Sequence, residues 1–358
     1  MIKKEMNRMN KKLLSALLGS VFLCGVMATP VMAQIAKPQV TILATGGTIA
    51  GSSASNTDTT DYKAGELGVD TLIRAVPELA EIADVKGEQI ANIISDDVDD
   101  KILLLLSRRC NELLNSGGQQ GVVITHGTDT LEETAFFLDM TVKSERPVVL
   151  VGAMRPATAV SADGPMNLLE AVALAAHKGA ERRGVMAVLN DRIASGFYVT
   201  KTNSTTNDTF KAYEQGYLGV FTSGQPRFFF EPAYPMQKMY FDVSKLESLP
   251  RVEIIYMYSG MDAKSFELAM ENGAEGIVIA SAGNGGLAAP LKEAVQAATA
   301  KGYPVVLSTR TGAGYVSSKD YAISAGFLNP QKARLLLQLA LATGADQKKI
   351  AEYFDKQR

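Results

Sequence analysis

Short apolar runs alternate with helical patterns along most of this 358-residue chain, and this alternation limits its possible folds more than any other feature. The runs are rich in β-branched residues and lack the apolar–polar alternation of half-exposed strands, which is typical of strands buried on both faces. They are Val40–Thr45, Val122–Thr125, Val148–Val151 and Val185–Leu189. Such strands, separated by helices, predict an α/β fold in which helices cover both faces of a parallel sheet.

Helical patterns lie between these strands, and the same alternation returns later in the chain. The predicted helices of the first half are Lys101–Asn115, Leu131–Thr141 and Met166–His177. The predicted elements of the second half are Val252–Tyr258, Lys264–Asn272, Gly276–Ala280, Leu291–Lys301, Val305–Ser308 and Pro330–Ala342. Thr130 and Glu133 have the spacing of a capping box, which predicts that the Thr130 hydroxyl accepts a hydrogen bond from the Glu133 N–H.

A stretch rich in proline and aromatic residues, Phe228–Leu249, separates the two halves. It has neither pattern, and its prolines favour an extended connection. We therefore predict two α/β domains: a larger N-terminal domain with a parallel sheet over residues 34–229, and a smaller C-terminal domain over residues 251–358. Residues 230–250 are the predicted linker.

The first 33 residues have the composition of a secretory signal peptide. Five lysines and arginines precede the apolar run Leu13–Ala28, and Val31 and Ala33 place small side chains before a cleavage position. The run is shorter than the roughly 20 residues that span a bilayer, so cleavage is favoured over an uncleaved anchor. We predict cleavage after Ala33, a periplasmic location and no membrane association afterwards.

Charge and cysteine content exclude several classes of protein. The net charge of −2 and the pI of about 5.9 lack the basic footprint of a nucleic-acid-binding protein. Removal of residues 1–33 takes away five basic residues and one acidic residue and changes the net charge to −6. It also leaves Cys110 as the single cysteine, so no intrachain disulfide can form. Since Cys110 lies in a predicted helix, we expect it to be a packing residue.

The first candidate site is the turn Thr45–Gly51, directly after the first predicted strand. Ligands of open parallel sheets bind beyond the carboxyl ends of the strands. Gly46 and Gly47 would let backbone N–H groups approach a ligand, with the Thr48 hydroxyl beside them. A plain turn is the simpler interpretation, and a dinucleotide loop is a weak one because the spacing is not G-x-G-x-x-G.

The second candidate site is the turn His126–Thr130, between a predicted strand and a predicted helix. Asp129 has the position of a helix N-cap, but its carboxylate could instead bind an ammonium group, from a lysine or from a substrate amine. His126 has no acidic neighbour in sequence, and we interpret it as a packed, hydrogen-bonded residue. With His177 as the only other histidine, a Ser-His-Asp triad is disfavoured.

A threonine nucleophile needs a base, and lysine can serve when it is desolvated. Lys201 lies in the polar segment Val199–Asn203, where an ordinary exposed lysine is the simpler interpretation. If it is buried next to Asp129 and Thr128, it could relay a proton.

Six segments occur in the order found in bacterial type II asparaginases, and the chain resembles this family from about residue 39 to its C-terminus. They are Thr45–Gly51, Ile124–Thr130, Gly152–Pro156, Ser161–Pro165, Val199–Asn203 and Leu328–Arg334. Each segment alone is weak evidence for the family, but all six in this order are highly specific for it. The resemblance implies hydrolysis of the L-asparagine side-chain amide to L-aspartate and ammonia, with no metal or organic cofactor.

The resemblance also implies catalytic roles. Thr48 would be the nucleophile that forms an acyl-enzyme, and Tyr62, on a mobile lid, would hydrogen-bond it. Lys201, paired with Asp129, would tune Thr128, which helps to position the attacking water.

Other positions match the family's substrate-binding residues. They are Gly47, Ser95, Asp96, Gly127, Ala153 and Asn284. Ser95 would hold the substrate α-carboxylate with backbone groups of Gly127, and Ala153 would place its carbonyl near the leaving amide. The resemblance further implies a homotetramer whose active sites are shared between subunits.

Three positions depart from the family. Asp96 stands where glutamine or glutamate usually contacts the α-amine, which suggests activity on L-glutamine as well. Pro290 replaces a frequent serine near the neighbouring subunit's site, while Asn284 is retained. Residues 311–327 contain Asp320 as their only acid, whereas family members often supply a glutamate from this segment.

Three other functions remain open at this stage. A dual-specificity glutaminase-asparaginase is the alternative that Asp96 favours. A dinucleotide-dependent hydride-transfer enzyme fits the fold but lacks the glycine fingerprint. A catalytically silent amino-acid-binding protein fits the predicted export, but binding alone requires no set of hydroxyls with a lysine.

Overall fold

The computed structural model describes residues 36–58, 63–233 and 238–356. The predicted signal peptide, Tyr62 and part of the predicted linker lie outside these residues. The strands are β1 Gln39–Gly46, β2 Asp84–Ile93, β3 Gln119–Thr125, β4 Val148–Val151, β5 Val185–Leu189, β6 Arg192–Ser195, β7 Thr200–Lys201, β8 Phe210–Lys211, β9 Gly219–Thr222, β10 Gln225–Phe228, β11 Val252–Tyr256, β12 Gly276–Ser281, β13 Val305–Thr309 and β14 Ile323–Ser324. The helices are α1 Val69–Arg74, α2 Leu79–Ile82, α3 Asp100–Asn115, α4 Leu131–Thr141, α5 Gly164–Ala176, α6 Lys264–Glu271, α7 Ala289–Thr299, α8 Pro330–Ala342 and α9 Gln347–Asp355.

The larger sheet of the described residues has eight strands in the order β10-β9-β6-β5-β4-β3-β1-β2. Strands β1 to β5 are parallel to one another, and β6, β9 and β10 extend the sheet with antiparallel pairing. This confirms the predicted α/β class, with an antiparallel edge that was not predicted. The edge arises because β5 and β6 are joined by Asn190 and Asp191 alone, at φ 53° and 58°. Such a two-residue turn makes a hairpin, whereas a parallel crossover needs a dozen or more residues.

The strand order places a topological switch point between β1 and β3. The chain leaves β1 toward β2 on one side and returns to β3 on the other. A crevice opens at the carboxyl ends of two such strands, and ligands of α/β sheets bind there. The turns after β1 and β3 are the two candidate sites of the sequence, so the topology brings them to one place.

The second sheet is parallel, in the order β11-β12-β13-β14, and confirms the second α/β domain. Helix α8 packs on β11 and β12 and also on α4 of the first domain. One apolar cluster therefore runs through both, from Phe136 and Leu150 to Leu336 and Val252. A second cluster, under α5, and a third, around α6 and α7, fill the remaining faces.

Helix ends depend on contacts that the sequence did not predict. The capping box at Thr130 was a wrong prediction: its hydroxyl donates to the Ser95 carbonyl oxygen at 2.7 Å, and it makes no capping bond. Helix α5 ends at Ala176, one residue before the predicted end, because His177 turns into extended backbone there and accepts from the Gly179 N–H. Cys110 is fully buried in α3, as predicted.

The described part of the chain contains no helix long and apolar enough to cross a membrane. Residues 229–233 and 238–251 form neither helix nor strand, which agrees with an extended connection in the described part of the predicted linker.

Candidate active site

The turns after β1 and β3 pack backbone against backbone. Gly47, at φ 78°, lies so close to the second turn that a Cβ atom would stand 2.3 Å from the Gly127 nitrogen. A Cβ atom on Gly127 would in turn stand 2.7 Å from the Ser95 Oγ. Both positions therefore require glycine, and three predicted substrate-binding residues form a continuous wall of the crevice.

Thr48 lies at the carboxyl end of β1, directly after this contact. The Gly47 N–H donates to the Ile93 carbonyl oxygen at 3.0 Å, which holds the turn against the end of β2. Thr48 begins a 3₁₀ turn over Thr48–Ala50 and is 6% exposed. Thr48 is therefore largely shielded from bulk water.

Thr128, Asp129 and Lys201 form one cluster. The Lys201 Nζ donates to the Thr128 Oγ1 at 3.0 Å and to the Asp129 Oδ1 at 2.5 Å. The Lys201 side chain is 11% exposed, which contradicts the interpretation of an ordinary exposed lysine, whereas that of Asp129 is 64% exposed. The amine is thus in contact with a hydroxyl whose proton it could accept, and the carboxylate would stabilise the ammonium formed.

Ser95 is tied to the same loop. It begins a 3₁₀ turn over Ser95–Asp97 after β2, is 4% exposed, and accepts the Thr130 hydroxyl through its carbonyl. This bond holds the Ser95 side chain beside Gly127. Asp96 is exposed on the same turn.

A second acid lies near Asp96. Burial, together with the charges of Glu132 and Asp96, raises the pKa of Glu133 in α4 to about 7. The predicted α-amine-binding aspartate therefore shares its surroundings with a carboxyl group that holds its proton more strongly than usual.

His126 is fully buried and serves the loop as a structural residue. Its Nδ1 donates to the Gly127 carbonyl oxygen at 2.7 Å, and its Nε2 accepts the Thr134 hydroxyl at 2.9 Å. Burial lowers the pKa of His126 to about 4. The full burial of the ring and the hydrogen bonds at both of its nitrogens confirm the interpretation of a packed, hydrogen-bonded histidine.

The turn that contains Ala153 is fixed by a residue to which the sequence analysis gave no role. The Asp163 carboxylate accepts from the Met154 N–H at 2.9 Å and from the Arg155 N–H at 3.0 Å. A Cβ atom on the neighbouring Gly152 would stand 3.0 Å from the Thr128 Cγ2, so this turn closes on the second candidate turn. Asp163 could have been suspected, since an acid before Gly-Pro at a helix start is suited to bind backbone N–H groups.

Asn284 is not brought to these residues. It lies in the loop after β12, and its amide binds Ser317: the Nδ2 donates to the Ser317 Oγ at 3.0 Å and the Oδ1 accepts from the Ser317 N–H at 2.6 Å. Tyr62 lies outside the described residues. The remaining predicted site residues lie on the loops that follow strands β1, β2, β3 and β4, except Lys201, which lies on β7.

The acidic run Asp96–Asp100 has a structural role at its end. Asp99 caps α3 by accepting from the Ile102 N–H at 3.0 Å. In the described ranges, no group of three or more His, Cys, Asp or Glu side chains is placed to hold a metal ion.

Known proteins resemble this chain in sequence and in overall fold. The chain matches the family "Asparaginase, N-terminal" over residues 39–234 and "Glutaminase/Asparaginase C-terminal domain" over residues 251–354. The chain belongs to the asparaginase family. The first match ends at residue 234 and the second begins at residue 251, so each of the two α/β domains is covered by one of them.

Relatives of the asparaginase family match over nearly their full length. L-asparaginase 2 of Bacillus subtilis is 51% identical, with 89% of this chain and 86% of the relative covered. A probable periplasmic L-asparaginase of Haemophilus influenzae is 46% identical, with 89% and 93% covered. The crystal structure of a probable cytoplasmic L-asparaginase from Campylobacter jejuni superposes with a TM-score of 0.86 at 47% identity, covering 89% of this chain and all of the other.

Proposed function

We propose that this chain is an L-asparaginase that hydrolyses the side-chain amide of L-asparagine to L-aspartate and ammonia. The observation that carries the proposal is the Lys201 Nζ, 3.0 Å from the Thr128 hydroxyl and bound to Asp129, on the turn against which Gly47 packs directly before Thr48. A pure binding site has no need of a lysine placed on a hydroxyl. Family membership assigns the reaction class, and the geometry supplies the groups that it requires.

In the proposed mechanism the Thr48 Oγ attacks the amide carbon and gives up its proton to a neighbouring base. Ammonia leaves as it takes up a proton, and an ester links the aspartyl group to Thr48. A water molecule positioned by Thr128 then attacks the ester carbon, and one of its protons passes through the Thr128 hydroxyl to the uncharged Lys201 amine. The ester bond to Thr48 breaks as this proton is returned to the Thr48 Oγ, and L-aspartate leaves with its new carboxyl group ionised to solvent. Backbone N–H groups around Gly47 and Thr128 stabilise the oxyanion of each step.

The substrate is a zwitterion, and the crevice offers groups for both of its charges. Ser95 and the Gly127 backbone would bind the α-carboxylate, and the exposed Asp129 and Asp96 would face the α-amine. The Ala153 carbonyl would face the leaving amide. Asn284 binds Ser317 in this chain, and it would act in the site of a neighbouring subunit.

The first experiment is ammonia release from L-asparagine and L-glutamine by the purified chain. Turnover of asparagine supports the proposal, and comparable turnover of both amides assigns the chain to the dual-specificity group. If asparagine binds and no ammonia appears, the protein is a binding protein and the proposal fails.

Asp96 decides the alternative of dual specificity. Glutamine at this position would bind the α-amine through a neutral carbonyl on a longer side chain, so Asp96→Gln should raise the ratio of asparagine to glutamine kcat/KM by about tenfold. Asp97→Asn, on the same exposed turn, is the matched control and should leave the ratio unchanged. An unchanged ratio in Asp96→Gln would refute this role.

We also propose that the chain is a bacterial type II enzyme, exported to the periplasm and cleaved after Ala33. The order of charged, apolar and small residues in residues 1–33 supports this, as does the periplasmic designation of the Haemophilus influenzae relative. N-terminal sequencing of the protein from the periplasmic fraction should begin at Gln34. Recovery of the intact N-terminus from the cytoplasm would contradict the proposal.

The assembly is proposed to be a homotetramer with shared sites. Several large apolar side chains of the second domain are exposed in the single chain, among them Tyr256 at 62% and Tyr258 at 54%. Exposed large apolar side chains on one strand and the loop after it support a subunit interface in this region. Light scattering on the purified protein should give the mass of a tetramer, and a monomer that remains active would contradict the proposal.

A further inference from the structure

The start of helix α8 carries a buried charge that no step of the proposed mechanism uses. Lys332 is 3% exposed on a helix otherwise rich in leucine and alanine. Its Nζ donates to the carbonyl oxygens of Phe197 at 2.9 Å and Val199 at 2.6 Å. Burial lowers the pKa of Lys332 to about 8, opposed by the charge of Glu132. A buried ammonium group costs free energy, so its retention needs a reason.

Two neighbours of Lys332 reach a different element. The Glu132 carboxylate, 3% exposed in the first turn of α4, accepts from the Gln331 Nε2 at 2.8 Å and from the Asn329 Nδ2 at 3.3 Å. The Asn329 Nδ2 also lies 3.3 Å from the Thr200 Oγ1, and the Asn329 Oδ1 caps α8 by accepting from the Lys332 N–H. Three polar residues at the start of α8, the N-cap Asn329 with Gln331 and Lys332, thus bind two separate segments of the first domain.

These segments carry the two sides of the lysine–threonine contact. Phe197, Val199 and Thr200 lead directly into Lys201, and Glu132 follows the Thr128–Asp129 turn by three residues. The 3.0 Å separation of the Lys201 Nζ and the Thr128 Oγ1 therefore depends on where the start of α8 holds each segment.

We propose that Asn329, Gln331 and Lys332 are positioning residues that form a clamp: they hold Lys201 on Thr128 by binding residues 197–200, which lead into Lys201, and the start of α4 at the same time. This inference rests on the proposed function. A displacement of Lys201 affects proton transfer in the reacting complex, whereas Ser95 and Gly127, which would bind the α-carboxylate, are held by Thr130 and His126. Loss of the clamp should therefore lower kcat far more than it raises KM.

The variants are made in the full chain. Lys332→Met removes both bonds to the carbonyl oxygens and keeps the length of the side chain. Asn329→Ser keeps a good helix cap and removes the amide that reaches Thr200 and Glu132. Thr200→Val removes the acceptor of that amide and keeps the β-branched shape. The control is Val295→Ala, in the buried core of α7, which loses stability without contact to the α8 start.

Kinetics are measured with asparagine, at least 15 °C below each variant's Tm. We expect about a tenfold or larger loss of kcat in Lys332→Met and Asn329→Ser, with KM changed less than about threefold, since misplacement of a reacting group by 1 Å can cost 10²-fold. Thr200→Val and Asn329→Ser should be non-additive in the double variant, as residues in one network are. Val295→Ala should keep kcat and KM.

Two results would overturn the inference. One is full kcat in Asn329→Ser, which also decides the question if Lys332→Met does not fold. The other is a loss of kcat in Val295→Ala as large as in the α8 variants, which would show that the α8 residues affect kcat only through the overall stability of the protein. Failure of the proposed function is separate from both, since the unaltered chain would then release no ammonia.

Discussion

At the scale of the residue, Lys201 has the most specific prediction. Lys201→Met keeps the length of the side chain but removes the amine from Thr128 and Asp129, so kcat for asparagine should fall by roughly 10²-fold or more, the size of a general-base effect. Steady-state ammonia release measures this.

Lys211 provides the matched control, because it lies on β8, the partner strand of β7, and forms an ion pair with the exposed Asp208. A surface ion pair of this kind contributes little, so Lys211→Met should keep nearly full activity. Equal losses in the two variants would show that the hairpin matters and the Lys201 amine does not.

His126 predicts a dependence of stability on pH. Its pKa in the folded chain is about 4, below its ordinary value of 6.5, so between these values the unfolded chain binds the extra proton. This contribution to stability is fully present above pH 6.5 and is lost as the pH falls toward 4, by roughly 3 kcal/mol at 1.36 kcal/mol per pH unit. The free energy of unfolding, measured with urea from pH 7.5 to 4.5, should fall as the pH is lowered. In His126→Gln it should fall less steeply. Identical slopes would contradict the assignment.

The residues of the site differ in how far sequence could predict them. Two turns could be placed from sequence, because each follows an apolar strand and the carboxyl ends of parallel strands lie at the same edge of a sheet. They contain Gly47, Thr48, Thr128 and Asp129. The bond from Thr130 to Ser95 was missed because it joins residues 35 positions apart, and a local capping rule took its place. The role of Lys201 needed the family resemblance, since its burial depends on a hairpin that the pattern did not indicate.

At the scale of the element, strands buried on both faces were the predictable ones. Strands β4 and β5 and helices α4 and α8 have the predicted bounds. Strand β2 was missed because it forms the sheet edge and has no fully buried residue, so its sequence lacks the apolar run. The antiparallel strands β6, β9 and β10 were missed because they are short and depend on turns rather than on burial.

The contact between the two glycine turns gives a prediction at this scale. Gly47 has φ 78° and ψ −174°, a conformation that only glycine adopts readily, and a Cβ atom would collide with Gly127. Gly47→Ala should therefore displace the turn that carries Thr48, with a lower Tm and a large loss of kcat.

Gly273→Ala is the control, because Gly273 has φ 84° with nothing within 4 Å of its Cβ position. It should cost about 1 kcal/mol of stability from backbone strain and keep kcat. Both are measured by thermal unfolding and ammonia release. A Gly47→Ala variant as active as Gly273→Ala would refute the close packing of the two turns.

At the scale of the whole molecule, helix α8 joins the two α/β domains. The sequence predicted two domains from the alternation and its interruption, and their bounds at residues 34–229 and 251–358 remain predictions. A shared apolar core was not predicted, because the contact of α8 with α4 joins residues about 200 positions apart and leaves no local pattern. The candidate site therefore lies on loops of the first domain, and the start of α8 contacts the segments on either side of it.

The central claim is that Thr48 is the nucleophile of amide hydrolysis, and kcat of Thr48→Ala on asparagine tests it most directly. Thr45→Val is the matched control: Thr45 is a buried threonine of the same strand end, and its hydroxyl donates to the Thr125 carbonyl oxygen at 2.9 Å. We predict that Thr48→Ala loses on the order of 10³-fold or more in kcat while it stays folded, and that Thr45→Val loses stability but keeps turnover. A folded Thr48→Ala protein that keeps most of its activity would contradict the account.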